Sequence, residues 1–177
     1  LSYNENRQQD RLRLFETGLV FQKEGRKITQ SNMISGLIFG KRYPVNWSNN
    51  KDLNDFYDLK GDVESLLGLA GSSEPIAFLA GNHPSLHSGQ CAVIKSGELE
   101  LGHIGSLHPA IHREMDFNGP VFLFELYLDA IQSKLLPRAE KLSKFPEVSR
   151  DLAVVVEKSV CSDEILSAVR EMAGEFL

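Results

Sequence analysis

The chain is poor in cysteine and has no long apolar segment. Its 177 residues include 2 cysteines, Cys91 and Cys161, which form no CxxC pair. A disulfide scaffold is therefore not expected, and a reducing cytoplasm is the simplest localisation. No apolar run approaches the ~20 residues of a membrane-spanning helix, and no signal peptide is visible. We expect a cytoplasmic protein that does not contact a membrane.

Several catalytic motifs are also missing. There is no Walker or dinucleotide-binding loop, since Gly102 to Gly105 lies inside a strand pattern. No Gly-x-Ser-x-Gly elbow is present, which counts against a serine hydrolase. The chain also lacks a basic excess, because its net charge is −5. Any contact with RNA would therefore have to be local.

The size of the chain allows one full domain and part of a second. A hydrophobic content of 42% supports a sizeable core. The first residue is Leu1 rather than Met, and Leu177 follows an amphipathic run without a stop signal. Both ends are therefore predicted to be cuts in a longer protein.

The clearest helical pattern begins after Asp55. Asp58 is the predicted N-cap, because its carboxylate can accept from the free amides of the first turn. Gly68 and Gly71 are the predicted stops. The predicted buried face consists of Leu59, Val63, Leu66, Leu67 and Ala70.

The acids of the same helix permit a second interpretation, a metal site at Asp58, Asp62 and Glu64. Asp58 and Asp62 are four positions apart and can share a helix face. Glu64 points elsewhere, so a structural helix is favoured over a metal site.

Strand patterns dominate the first three quarters of the chain. Hairpin signals outnumber strand–helix–strand crossovers, so the predicted fold class is α+β, with an antiparallel sheet flanked by helices. The last of the strands is apolar on both faces and is predicted to be central. Short helices are expected over Ala110–Met115 and, capped by Asp129, over Asp129–Lys134. The predicted strands are Leu12–Gln22, Asn32–Gly40, Ile76–Ala80, Gln90–Ile94, Leu99–Leu107 and Val121–Leu128.

Four single residues carry further expectations. Glu16 shares a strand face with leucines, so its carboxylate needs a partner or an opening to solvent. Gly36 and Gly40 are expected to mark a bulge or the close approach of another backbone. Trp47, the only tryptophan, is predicted to anchor its loop.

The last 41 residues form a separate pattern. A linker with two prolines leads to a predicted strand over Val148–Glu157. A helix capped by Ser162 or Asp163 follows, and its predicted apolar face consists of Ile165, Leu166, Val169, Met172 and Ala173.

A local basic excess surrounds the linker. Lys134, Arg138, Lys141, Lys144 and Arg150 stand there against only Glu140 and Glu147. Cations at this density can contact RNA phosphates, although a solvated linker would have the same composition.

The histidines allow an alternative function, an independent metal-dependent hydrolase. His83 and His87 are four positions apart, as are His108 and His112. On helices this spacing can chelate zinc, and His103 would be a further candidate ligand. Pro84 and Pro109 argue instead for His-Pro turns, and no metal ligand or catalytic residue is assigned.

Several stretches together resemble a known family. They are LFETGLVF from Leu14, DFYDLKGDVESLL from Asp55, HPSLHSG from His83, GHIGSLHP from Gly102 and SRDLAVVV from Ser149. Their order and spacing are similar to the C-terminal half of the β subunit of bacterial phenylalanyl-tRNA synthetase. The resemblance covers nearly the whole chain.

The resemblance implies two domains. Residues 1–136 would be a core domain that copies the class II aminoacyl-tRNA synthetase fold without its catalytic residues. Residues 137–177 would be the linker and the incomplete, ferredoxin-like start of an anticodon-binding domain. A complete fold of that kind needs β-α-β-β-α-β, and only one strand–helix unit is present here.

The resemblance also implies a function. The chain would be a non-catalytic scaffold that packs on the catalytic α subunit in an (αβ)₂ phenylalanine–tRNA ligase. ATP and magnesium would serve the full enzyme, with no cofactor in this piece. The C-terminal piece would help to bind tRNA, with Arg138, Lys141, Lys144 and Arg150 as phosphate contacts.

Overall fold

The computed structural model describes residues 1–48, 52–70, 75–131 and 148–173. The chain divides into two compact units, Leu1–Arg138 and Ala139–Leu177. The first unit contains every strand of the described residues, and the second contains one helix.

A long hairpin begins the first unit, after a short helix α1 (Ser2–Glu5). Strands β1 (Arg11–Glu24) and β2 (Lys27–Gly40) pair antiparallel along their whole length. Both strands extend further towards the turn than the sequence predicts. Polar residues fill that end of the hairpin, and backbone pairing continues there although the apolar pattern has ended.

The rest of the sheet is also antiparallel and has six strands in the order β1-β2-β6-β5-β4-β3. The remaining strands are β3 (Ile76–Ala80), β4 (Leu86–Ser96), β5 (Leu99–Leu107) and β6 (Val121–Tyr127). The predicted antiparallel α+β architecture and the interior position of β6 are confirmed. Strand β4 begins earlier than predicted, beyond a break in its register between Leu86 and Cys91.

One face of the sheet carries the core. Helix α2 (Phe56–Ala70) and the short α4 (Leu128–Ile131) pack there, and Leu59, Val63 and Leu67 are buried as predicted. Sheet side chains complete the cluster at Ile34, Ile38, Ile94, Ile104, Phe122 and Leu126. Helix α3 (Pro109–Glu114) starts one residue before its prediction, and α4 starts before Asp129, which therefore does not cap it.

The N-terminus of α2 corrects the predicted cap. The Asp55 Oδ1 atom accepts from the N–H groups of Tyr57 at 2.8 Å and Asp58 at 3.0 Å, so Asp55 is the N-cap. Asp58 is the third helical residue, and its Oδ2 accepts from the Asp55 N–H at 2.8 Å. This reciprocal pair is a capping box with aspartate in the usual glutamate position. The prediction of Asp58 as N-cap is wrong because the helix starts one turn earlier.

Arg42 ties the preceding loop to this cap. Its guanidinium donates to Asp58 Oδ2 at 2.9 Å and to Asp55 Oδ2 at 2.7 Å. The hydrogen bond to Asp58 is the main reason that the pKa of Arg42 is raised. Trp47 is 99% exposed, so the prediction that it anchors the loop is wrong. Arg42 and the buried Asn54, which donates to the Gly40 carbonyl at 2.9 Å, hold the loop instead.

The cap gives a testable prediction. Asp55→Ala removes the two accepted hydrogen bonds and one arm of the Arg42 pair, so we expect the free energy of unfolding to fall by about 1–2 kcal/mol. Asp62→Ala, on the same helix, breaks only the ion pair with Arg13 and should cost less than about 1 kcal/mol. Urea unfolding followed by circular dichroism measures both. Equal losses would show that Asp55 acts only as a surface charge.

The four glycine predictions have different outcomes. Gly68 lies inside α2, so its prediction as a helix stop is wrong, and Gly71 lies outside the described residues. Gly40 has a φ of +77°, and a Cβ there would collide with the Asp10 carbonyl, which confirms the expected close backbone approach. At Gly36 a Cβ would lie 2.5 Å from the Phe124 ring, so this position is also one of close approach.

The second unit is described from residue 148. Helix α5 (Ser162–Ala173) confirms the predicted helix, but Glu164 Oε1 accepts from the N–H of Cys161, the residue before its first turn. Cys161 thus occupies the cap position that was predicted for Ser162 or Asp163.

No strand forms over Val148–Glu157, so that prediction is wrong. The segment is exposed throughout, and Val155 is fully accessible to solvent. Among the described residues no other strand pairs with this run. β-Branched residues favour a ladder only where a second strand supplies hydrogen bonds. The described residues of the second unit thus form one helix and no strand, so the predicted ferredoxin-like unit is not confirmed.

Candidate functional site

A row of polar side chains crosses the sheet on the face opposite α2. Glu16 pairs with Ser35, Ser35 with Glu125, and Glu125 with His103. Their neighbours Ile34, Ile104 and Leu126 belong to the core. Since side chains alternate along a strand, the polar row lies on the other face, the outer face.

A cavity of about 500 Å³ lies over this row, and we refer to it as the outer-face pocket. Four adjacent strands supply most of its lining, and the segment that leads into β4 supplies the rest. The lining residues are Leu14, Phe15, Glu16, Ser35, Gly36, Leu37, His83, Ser85, Leu86, His103, Leu123, Phe124 and Glu125.

The segment before β4 forms one wall because it folds back over the sheet. A Cβ at Gly81 would lie 2.5 Å from the Val93 side chain, so glycine permits this close approach. His83 Nδ1 accepts from the Ser85 N–H at 3.3 Å, and the Ser85 carbonyl accepts from the His108 N–H at 2.9 Å. The next residue, Leu86, is buried. These contacts place the His83 ring beside His103, with 5.0 Å between the ring centroids.

The electrostatics of the pocket combine the carboxylates of Glu16 and Glu125 with the imidazoles of His83 and His103. Ser35 Oγ donates to Glu125 Oε1 at 3.1 Å, while Glu16 is exposed and meets the predicted need for an opening to solvent. Burial is the main cause that lowers the pKa of His103, and His83 lowers it further against the opposing effect of Glu100 and Glu125. His103 is therefore neutral at pH 7.

This arrangement does not suit a triphosphate. Two carboxylates repel phosphate oxygens, whereas ATP chemistry needs cations where negative charge develops. The nearby Arg13 lies on the opposite face of the sheet and pairs with Asp62. In the described ranges there is no cluster of three or more histidine, cysteine, aspartate or glutamate side chains suited to a metal. The charge of the outer-face pocket therefore disfavours ATP.

A family model described as the phenylalanyl tRNA synthetase beta chain CLM domain matches residues 1–128. The chain belongs to this family. Among curated family members, the phenylalanine–tRNA ligase β subunit of Pseudomonas putida is 46% identical over 177 residues, which is all of this chain and 22% of that protein. The β subunit of Hahella chejuensis is 45% identical over 175 residues, 98% of this chain and 22% of that protein.

This β-chain family member thus spans about a fifth of the length of the relatives it matches. Among solved structures, the pyrrolysyl-tRNA synthetase of Desulfitobacterium hafniense aligns with a TM-score of 0.49 and 13% identity, over 73% of this chain and 44% of that one. In the ranges that the structure describes, no helix is long and apolar enough to cross a membrane.

The predicted tRNA contacts of this family member are described only in part. Arg138, Lys141 and Lys144 lie outside the described residues. Arg150 is described and exposed, in the segment without strand structure.

The histidines do not assemble into the alternative hydrolase site. His87 Nδ1 accepts from the Gly89 N–H at 3.0 Å, and His108 Nδ1 accepts from the Ala110 N–H at 3.2 Å. His112 Nε2 is 2.8 Å from the Gly119 carbonyl oxygen. Only His83 and His103 lie together in the pocket. Nothing among the relatives supports a hydrolase either, since they carry the name of a ligase subunit.

The acids of α2 do not converge on a shared site. Asp58 binds Arg42, Asp62 binds Arg13, and Glu64 binds Lys60 on the same helix. Each carboxylate has its own cation, which is the arrangement of a structural helix with a charged outer surface.

Sequence reasoning missed the outer-face pocket. Its local signals are Glu16 and His103, which the sequence analysis singles out, and Glu125, a carboxylate within the otherwise apolar run VFLFELY. An ionisable residue inside a central strand needs an explanation, and here the explanation is the pocket. Their assembly into one row depends on the register of four strands, which no local pattern gives.

Proposed function

We propose that the chain is a non-catalytic scaffold of phenylalanine–tRNA ligase, the enzyme that attaches phenylalanine to its tRNA with ATP and magnesium. In this proposal it is a class II-like copy of the catalytic fold, and it packs on the catalytic α subunit in an (αβ)₂ assembly in the cytoplasm. Phenylalanine and ATP react on the α subunit. Membership of the β-chain family, over residues 1–128, supports the proposal.

The observation that carries the scaffold role is the free end of the β1–β2 hairpin. Strand β6 pairs with β2 only over Met33–Phe39. Six further pairs, from Leu19↔Asn32 to Glu24↔Lys27, continue as a ribbon of two strands. A ribbon of two strands is marginally stable in water on its own. A surface that covers it would stabilise it.

The β1–β2 hairpin also exposes an apolar patch. Alternation puts Phe15, Leu19, Phe21 and Ile28 on one face, where their exposed fractions are 77%, 54%, 64% and 68%. We call these four residues the hairpin stripe. An apolar stripe on a projecting hairpin is typical of a protein interface, and the proposed occupant is the α subunit.

The charge of the outer-face pocket supports the non-catalytic part of the proposal. In an active class II site the sheet presents an arginine to ATP. In this chain the strand that would carry it places Glu16 in the pocket and directs Arg13 to the other face. The carboxylates would destabilise a bound polyphosphate.

For the C-terminal part, we propose a domain boundary between residues 136 and 137. Residues 137–177 would be the linker and the start of the ferredoxin-like anticodon-binding domain. Its predicted contribution to tRNA binding rests on the cations around the linker.

The scaffold role can be tested at the hairpin stripe. Leu19→Glu combined with Phe21→Glu, in the intact β subunit, puts two charges where we expect two apolar side chains to be buried. Each burial contributes about 1.5–3 kcal/mol, so the affinity for the α subunit should fall at least ~100-fold. Analytical ultracentrifugation of mixed subunits measures the dissociation constant.

Leu99→Glu is the matched control, because Leu99 is also 54% exposed but lies at the start of β5. It should leave the dissociation constant unchanged. Thermal unfolding of each β subunit alone separates a lost interface from a lost fold. If the folded stripe variant keeps the dissociation constant of the unmodified β subunit, the hairpin is not part of the interface. The main support for the scaffold role is then lost.

A further inference from the structure

We propose that the outer-face pocket binds a small organic amine, a positively charged ammonium group carried on an apolar body. This ligand is separate from the ATP, phenylalanine and tRNA of the proposed function. It is inferred from the shape, lining and charge of the pocket in this chain.

The shape and lining are those of a small-molecule site. A volume of about 500 Å³ lies within the usual range of roughly 300–1,000 Å³ for ligand pockets. Most of the lining is apolar, and the polar groups converge from one side, which is the other property of such sites. The apolar surface comes mainly from Leu14, Leu37, Leu86 and Leu123.

The charge selects an ammonium group. Ser35 lies between Glu16 and Glu125 in the sheet, and the spacing of neighbouring strands puts the two glutamate backbones roughly 10 Å apart. A cation above Ser35 is within reach of both flexible carboxylates. Glu125 accepts one hydrogen bond from Ser35 and keeps further lone pairs for a charge-assisted bond to an N–H donor.

The same lining disfavours anions and zwitterions. Among the described residues that line the pocket there is no lysine or arginine, and His103 is neutral because of its burial. A ligand carboxylate would therefore lie near two glutamates without a lysine or arginine to offset it. A free amino acid carries such a carboxylate, so an amine without one should bind more tightly.

Two small probes with similar bodies test the charge. Cyclohexylmethylamine and cyclohexylacetate carry opposite charges at neutral pH. We expect the amine to shift the ¹H–¹⁵N signals of Ser35, Gly36 and Leu123 in the 177-residue chain and to bind at least ~10-fold more tightly than the acid. Equal affinities, or no shift from the amine in a chain with a dispersed spectrum, would overturn the proposal.

Glu125→Gln keeps the size of the side chain and an acceptor for Ser35 but removes the charge. It should weaken amine binding about 10-fold and leave acid binding no weaker. Glu98→Gln, on the exposed turn between β4 and β5, removes a charge outside the pocket and should change neither. If Glu125→Gln unfolds the chain, Glu16→Gln at an exposed position takes its place. Unchanged amine binding in a folded pocket variant would also refute the proposal.

An alkylammonium group can come from a free amine or from a lysine side chain of an assembled neighbour. Saturation-transfer NMR with the amine on the intact β subunit, before and after addition of the α subunit, distinguishes the two. A signal that survives assembly identifies the site as one for a free amine. A signal that assembly removes identifies a side chain of the complex as the occupant. No signal in either state contradicts the proposal, and the signal before addition of the α subunit does not depend on the hairpin stripe.

Discussion

Gly102→Ala should abolish cooperative folding of the first unit. Gly102 lies in β5 with a φ of +150°, and a Cβ there would collide with the Glu125 carbonyl oxygen and lie 2.8 Å from Leu126 Cα. Both are backbone atoms of the interior strand β6, so they cannot move without breaking the β5–β6 ladder. We expect the free energy of unfolding to fall by more than about 4 kcal/mol. Urea unfolding followed by far-UV circular dichroism would show a lost or strongly shifted transition.

Gly68→Ala is the matched control for that change. Gly68 lies inside α2, and a Cβ there would meet nothing within 4 Å. Alanine has the higher helix propensity, so this variant should be more stable by about 0.5–1 kcal/mol. If Gly102→Ala lowers the free energy of unfolding and Gly68→Ala raises it, the loss at Gly102 is due to the backbone collision and not to glycine replacement in general. A cooperative Gly102→Ala variant with near-normal stability would mean that β5 passes β6 at a greater distance.

The periodicity of apolar residues correctly predicted helix α2 and strand β6, because in both elements the apolar pattern follows from which side chains are buried. Val63 and Leu67 recur at helical spacing because they meet the sheet, and the apolar run of β6 is long because that strand is interior. Boundaries were less predictable. Asp55 and Asp58 are both acids before a helical pattern, and only the hydrogen bonds of the first turn show which one is the cap.

The failed strand near the C-terminus has a different cause. Leu152 and Val154–Val156 have high strand propensity, but propensity describes how a side chain fits a sheet that already exists. Trp47 illustrates the same limit, since an apolar side chain is buried only where a neighbouring surface is available. Both features depend on the surroundings of the residue rather than on the local sequence.

The polar row could not be predicted for a third reason. Glu16, Ser35, Glu125 and His103 are far apart in the chain and meet only through the register of β1, β2, β6 and β5. A shift of one residue in any strand would move its member of the row to the core face. Glu16 and His103 were noticed in the sequence as single residues, whereas their arrangement in one row with Glu125 depends on the neighbouring strands.

The second large effect is expected at the linker cations. Replacement of Arg138, Lys141, Lys144 and Arg150 by alanine in the intact ligase should weaken tRNA binding roughly 10- to 100-fold. Each cation that contacts a phosphate releases about one counterion, so the slope of log K against log salt concentration should become shallower by about 3 in total. Binding titrations with tRNA over a range of salt concentrations measure both quantities.

Arg150→Ala alone should reduce that slope by a little under 1, because Arg150 is exposed and carries one of the four charges. The control removes three cations at the β1–β2 turn, Lys23, Arg26 and Lys27, and should leave the slope unchanged. Equal effects per charge in the two sets would mean that tRNA responds only to the overall charge of the protein. An unchanged slope in the linker variant would identify these residues as a solvated linker, the interpretation that their composition also allows.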